Sequence, residues 1–203
     1  VAFSTAGQVI AHHAVEYPLL TPTPAAAEQD PEEIYRAVLT AIRETVRKAG
    51  AAPGDVVGVA FSAAMHSVIA VDGAGRPLTR SITWADSRAT EWAERIKNDW
   101  DGLAIYQRTG TPIHPMSPLA KLVWLRREEP EVFARATRFI GIKEYVFFRL
   151  FKRYVVDYSI ASATGLFNLS QLDWDTGALE LAGITPERLP EPVPTTFHLA
   201  GLE

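Results

Sequence analysis

Apolar and polar positions change period several times along the chain, and each change marks a predicted element. Val1 to Phe3 and Gln8 to Tyr17 are short apolar runs, and Ser4-Thr5-Ala6-Gly7 between them predicts a hairpin. Thr21-Pro22-Thr23-Pro24 cannot continue a central strand and predicts a loop. The period then becomes helical: Ile34, Val38, Ile42, Thr45, Val46 and Ala49 form a stripe, with charged residues mostly off it. Asp30 suits the cap, Pro31 the first position, Glu32 and Glu33 the positive end of the dipole, and Gly50 the close. Val56 to Ser62 is nearly continuously apolar and predicts a buried strand; Ser67 to Val71 predicts another, followed by an Asp72–Gly75 turn.

Helices are predicted over Ser87–Asn98, after a Ser117 cap through Arg127, from Pro130, and over Ile142–Phe151. Val155 to Leu169 reads as a short strand, a turn of helix, and a strand from Leu166. Asp175 caps a short helix ending at Gly183, and Pro190, Pro192 and Pro194 predict an extended, linker-like exit. Strand, helix and buried strand in succession indicate a mixed α/β sheet, and 203 residues fit one large domain.

Composition narrows the chemistry. Hydrophobic residues make up 47% and charged residues 22%, an ordinary globular balance. Without cysteine there is no disulfide and no Cys-ligated metal, which fits the cytoplasm. A net charge of −4 provides no field for nucleic acid or an anionic membrane. No membrane-length apolar stretch and no signal peptide stand out. The chain opens on Val1 rather than Met and reads as if already inside a strand.

No phosphate-cradling loop is visible; Gly73-Ala74-Gly75 sits in a hairpin turn. Met65-His66 lies beyond the Val56–Ser62 strand, where α/β folds collect ligands. Unaided, it reads either as core-edge packing or as the wall of a polyol pocket. Trp84-Ala85-Asp86-Ser87-Arg88 groups an aromatic, a carboxylate and a guanidinium. Asp86 or Ser87 as a helix cap, with Arg88 paired to Asp86 or Glu91, competes with a sugar site. Asp173-Trp174-Asp175 puts two carboxylates on opposite faces, which favours Asp175 as a cap over a catalytic pair.

The run Met116-Ser117-Pro118-Leu119-Ala120-Lys121-Leu122-Val123-Trp124-Leu125-Arg126-Arg127-Glu128 resembles the N-terminal signature of the FGGY carbohydrate kinases. Pro118, Lys121, Leu122, Trp124, Leu125, Arg127 and Glu128 carry the match. Gly58–Asp72, the Trp84-x-Asp86-x-Arg88 segment, Thr109-Gly110-Thr111 and Asp157–Ser162 are similar to family segments in the same order. Within the family, Thr109–Met116, Ala64-Met65-His66 and Gly141–Tyr145 look most like gluconokinases, with xylulokinases the nearest alternative.

The resemblance implies an actin-like, ribonuclease-H-like α/β domain with helical insertions, lacking its first strand. It implies residues 1–203 as the substrate-binding domain of an ATP- and Mg²⁺-dependent kinase that phosphorylates gluconate. It leaves a ketose or other polyol as the alternative substrate, and a homodimer as an open possibility. The expected substrate-binding residues are Met65, His66, Trp84, Asp86, Met116 and Lys121. The catalytic Asp is expected beyond Glu203 and the phosphate loop before Val1, with a nucleotide-gripping second domain outside the chain, so the fragment alone is expected to be inactive. A non-catalytic sugar-binding or structural module is the third reading.

Overall fold

The computed structural model describes residues 1–201. Strands β1 (Ala2–Phe3) and β2 (Val9–Ala11) pair antiparallel around Gly7, whose φ of 78° suits the turn. Strand β3 (Glu28–Gln29) leads into helix α1 (Pro31–Ala49). Asp30 caps α1, its carboxylate accepting from the amides of Glu32 and Glu33, and left-handed Gly50 closes it. Strands β4 (Ile69–Val71) and β5 (Ser81–Ile82) are joined by the Asp72 turn, where Asp72 accepts from the Ala74 and Arg76 amides. Then come α2 (Thr90–Asp99), α3 (Gly102–Thr109), α4 (Pro118–Glu128) and α5 (Pro130–Arg135). Strand β6 (Arg138–Ile140) precedes α6 (Ile142–Phe151). Strand β7 (Val155–Asp157) runs into α7 (Tyr158–Ser162), and β8 (Phe167–Asn168) turns into β9 (Asp173–Trp174). Helix α8 (Thr176–Ala182) and strand β10 (Glu191–Val193) complete the order.

Every strand is short, and the sheet pairings are β1–β2, β3–β5, β4–β6, β7–β10 and β8–β9. The core is built around α4, which packs against α2, α5 and α8. Pro118 through Leu125 are all buried, so α4 is apolar on every side except at Lys121. A smaller cluster of Ile69, Val71, Ile140 and Tyr145 ties β4 and β6 to α6.

Three sequence expectations are corrected. Val56–Ser62 is not a buried strand: it has no regular structure, and Val57 is 91% exposed. An apolar run becomes a strand only beside a partner for its backbone, and none pairs with it among the described residues. The Pro190–Pro194 exit is not a linker, because Glu191–Val193 pairs parallel with Val155–Asp157. Proline is tolerated there because β10 lies on a sheet edge. Helix α3, absent from the sequence reading, begins after left-handed Asp101 at φ 57°. Ser117 precedes α4 as expected, but its hydroxyl donates to the His114 carbonyl instead of capping the helix.

Asp175 joins two distant regions. It caps α8 through the Ala178 amide and accepts from Arg108 Nε at 2.7 Å and Asn168 Nδ2 at 3.0 Å. Burial pushes its pKa up, but the Arg108 guanidinium and the other donors outweigh this and hold it below the ordinary 3.8. A depressed carboxylate pKa gives stability that is present above about pH 4 and lost as pH falls through the native value. Asp175→Asn is therefore expected to cost about 2 kcal/mol at neutral pH. It should also flatten the acid limb of stability below about pH 4, as measured by urea unfolding across pH.

Candidate functional site

Two loops bring two of the sequence-predicted residues, Met65 and Trp84, together. Met65 and His66 end the segment before β4, and Trp84 follows β5. Val68 and Ile82 exchange backbone hydrogen bonds of 3.1 and 2.9 Å, so the two strands are tied where those loops begin. His66 is left-handed, with φ 68°, a conformation that costs a non-glycine residue energy and needs support from its surroundings.

Met65 and Trp84 line one open groove of about 270 Å³, together with Tyr17, Leu19, Gln29, Ser67, Thr83 and Ile142. Trp84 is 61% exposed and Met65 43%, so both apolar surfaces face solvent. None of the groove's lining residues is charged. Such a surface offers an indole face and a soft thioether to C–H groups, with amide and hydroxyl groups beside them. It carries no carboxylate to hold a metal ion. Among the described residues as a whole, no group of three or more His, Asp or Glu is set to bind one.

The other expected residues lie elsewhere. His66 lines a second, smaller and partly open pocket of about 40 Å³ with Ser67, Lys143 and Glu144. Burial lowers the His66 pKa; a backbone contact at Ala163 pulls it up, and Lys121 and His114 press it down again, so the ring is neutral at pH 7. Its Nδ1 and Glu144 Oε1 are both buried without a protein partner, and the cavity they line has room for a water. Burial also raises the Glu144 pKa, against the pull of Lys143.

Asp86 lies beneath the groove wall, 2% exposed. Its carboxylate is saturated by the Ala27 amide at 2.9 Å and by the Arg88 amide and guanidinium. Arg88 also pairs with Glu28 at 2.6 Å and stacks 4.5 Å from the centroid of Trp124. Of the two alternatives left open for Arg88, the structure selects Asp86, and neither Asp86 nor Ser87 caps α2. Met116, partly buried, donates its amide to His114 Nδ1 and is not among the groove's lining residues.

Lys121 is 1% exposed, yet its ammonium meets three backbone carbonyls: His66 at 2.6 Å, Thr83 at 2.7 Å and Ile82 at 3.5 Å. Burial draws its pKa down to about 7, with Asp86 raising it and Arg88 lowering it, while the three carbonyls, which can only accept, favour the protonated ammonium.

Gln29 and Tyr17 were not foreseen from the sequence. Gln29 belongs to a two-residue strand, too short to show a period, and Tyr17 lies in an extended segment without regular structure.

A profile of the FGGY family of carbohydrate kinases, N-terminal domain, matches residues 1–202. A gluconokinase of Bacillus subtilis (strain 168) is 51% identical over 197 residues, covering 97% of this chain and 38% of that protein. Among solved structures, a ligand-bound xylulose kinase from Lactobacillus acidophilus aligns with a TM-score of 0.89 and 38% identity, over 94% of this chain and 38% of that one. A gluconate kinase from the same species aligns with a TM-score of 0.84 and 39% identity, over 88% of this chain and 36% of that one. The chain thus spans well under half the length of the relatives it matches.

These placements predict opposite effects on stability within one short segment. Trp84→Ala should leave the unfolding free energy within about 0.5 kcal/mol of wild type, since the ring is mostly in solvent. Asp86→Ala should cost about 3 kcal/mol, because it strands the Ala27 amide and leaves the partly buried Arg88 with Glu28 as its remaining carboxylate. Chemical denaturation of both variants checks the contrast.

Proposed function

The chain belongs to the FGGY family of carbohydrate kinases, and we propose that it is the sugar-holding domain of a gluconokinase. Its fold is the actin-like α/β domain of that family. The observation that carries the substrate assignment is 51% identity to a gluconokinase along nearly the whole chain.

The groove supports a polyol as substrate. An indole face and a thioether suit C–H surfaces, and Gln29 brings an amide that can pair with hydroxyls, whereas the Thr83 hydroxyl is already donated to the Ala27 carbonyl. The groove's neutrality has a consequence for orientation. A carboxylate gains nothing from an uncharged lining and keeps its water, so the carbon chain of gluconate enters the groove and its anionic end points outward. A neutral groove also admits a ketose, so xylulose is the second reading, and a xylulose kinase is among the similar solved structures at 38% identity.

In the whole protein, the reaction is transfer of the ATP γ-phosphoryl to a terminal hydroxyl, with Mg²⁺ neutralising phosphate charge. The residues of this chain hold and orient the acceptor, and orientation alone accounts for much of such catalysis. Nucleotide and metal contacts, and the base that takes the hydroxyl proton, fall to other parts of the protein. Residues 1–203, which span 38% of the gluconokinase they match, are expected to form no phosphorylated product when assayed by themselves.

A coupled ADP-release assay on the full-length protein tests this reading. Gluconate is expected to be preferred over xylulose by more than about 10-fold in kcat/KM, and Trp84→Ala should lower the gluconate value by about 10- to 100-fold. Preference for xylulose would transfer the assignment to the second reading. No turnover of any polyol would remove both.

A further inference from the structure

We propose that Lys121 is a positioning residue of the sugar site, a buried clamp that sets the spacing between the Met65 and Trp84 loops without touching the sugar. The proposal rests on the sugar-site reading above and goes beyond it by assigning a role to a residue outside the groove.

The geometry carries the assignment. Lys121 is fixed in α4, the most buried helix of the chain. From there its ammonium reaches the His66 carbonyl on one loop and the Ile82 and Thr83 carbonyls on the other. An ammonium has three donors, and here it meets three acceptors. Met65 and Trp84, the exposed apolar pair of the groove, are each the immediate chain neighbour of a clamped residue.

A single cation therefore bridges the backbones of both groove loops at their roots. It also faces the one strained non-glycine residue of the site, His66, at the carbonyl that fixes the turn. Burying an ammonium is costly, and a core helix needs none; an apolar side chain of the same length would fill the space. A second residue on the same face of α4 repeats the arrangement. Trp124, three residues on, stacks on Arg88, which holds Asp86 and Glu28. Both polar contacts of this helix face thus end on the segment that presents Trp84.

Loosening the clamp lets the two loops drift relative to each other, and misplacement of about 1 Å at a reacting centre costs about 100-fold in rate. The defect falls on the sugar and leaves the nucleotide unaffected.

The test is steady-state kinetics of the full-length kinase, with the sugar and ATP varied separately, alongside thermal unfolding. Lys121→Met keeps the length and removes the donors. It is expected to remain folded, to raise the KM of the phosphorylated polyol by about 10- to 100-fold and to leave the ATP KM within about 2-fold. Unchanged sugar KM in a folded variant overturns the proposal, as does a parallel loss of all parameters that tracks a lowered Tm.

Should Lys121→Met not fold, Lys121→Arg decides: its planar fork cannot meet three carbonyls at a point, so a raised sugar KM with unchanged ATP KM supports the clamp. Wild-type constants for both substrates, or no folded protein, overturn it. The wild type is assayed first on gluconate and xylulose, and the variants on whichever it turns over. A wrong sugar assignment is thus seen in the wild type, and a wrong clamp only in the variants.

Discussion

One buried cation, Lys121, ties together the two loops that carry the proposed sugar groove. Lys121 would be expensive in an apolar helix if it were alone, because removing an ammonium from water costs several kcal/mol even after relaxation. It is retained by three carbonyls: that of His66, and those of Ile82 and Thr83, which also accept from the Val68 and Asp86 amides. The core helix thus supplies a donor to the backbone on both sides of the groove. Met65 and Trp84, the chain neighbours of His66 and Thr83, are exposed at the surface.

The charges around the groove follow the same logic. Carboxylates and guanidinium close to it are spent on one another: Asp86 on Arg88 and the Ala27 amide, Arg88 on Glu28, Lys143 on Asp157. Each pair is partly or wholly removed from water and fixes local backbone. What remains in the groove is neutral: an indole, a thioether, an amide and hydroxyls. On the proposed reading, a surface of this kind selects a sugar by shape and hydroxyl pattern rather than by charge. It suits a family whose members differ in substrate while sharing a scaffold.

Much of the fold was legible because it is local. Asp30-Pro31 with Gly50 announces α1, and Asp175 with Gly183 announces α8, since caps are short-range chemistry. What failed depends on distant partners. Val56–Ser62 has strand composition but nothing beside it to pair with, and Glu191–Val193 looks like a linker until Val155–Asp157 is laid against it. The site divides along the same line. Met65 and Trp84 came from a resemblance in sequence, and the structure sets them on one groove. That Asp86 and Lys121 lie below that wall, and that Gln29 lies on it, required long-range contacts that no spacing encodes.

The most direct measurement of the central claim is a crystal structure of the full-length protein with gluconate bound. The account predicts the carbon chain of the sugar lying against the Trp84 ring and Met65, with its carboxylate directed out of the groove. Gluconate bound elsewhere, with Trp84 and Met65 still facing bulk water, would contradict it.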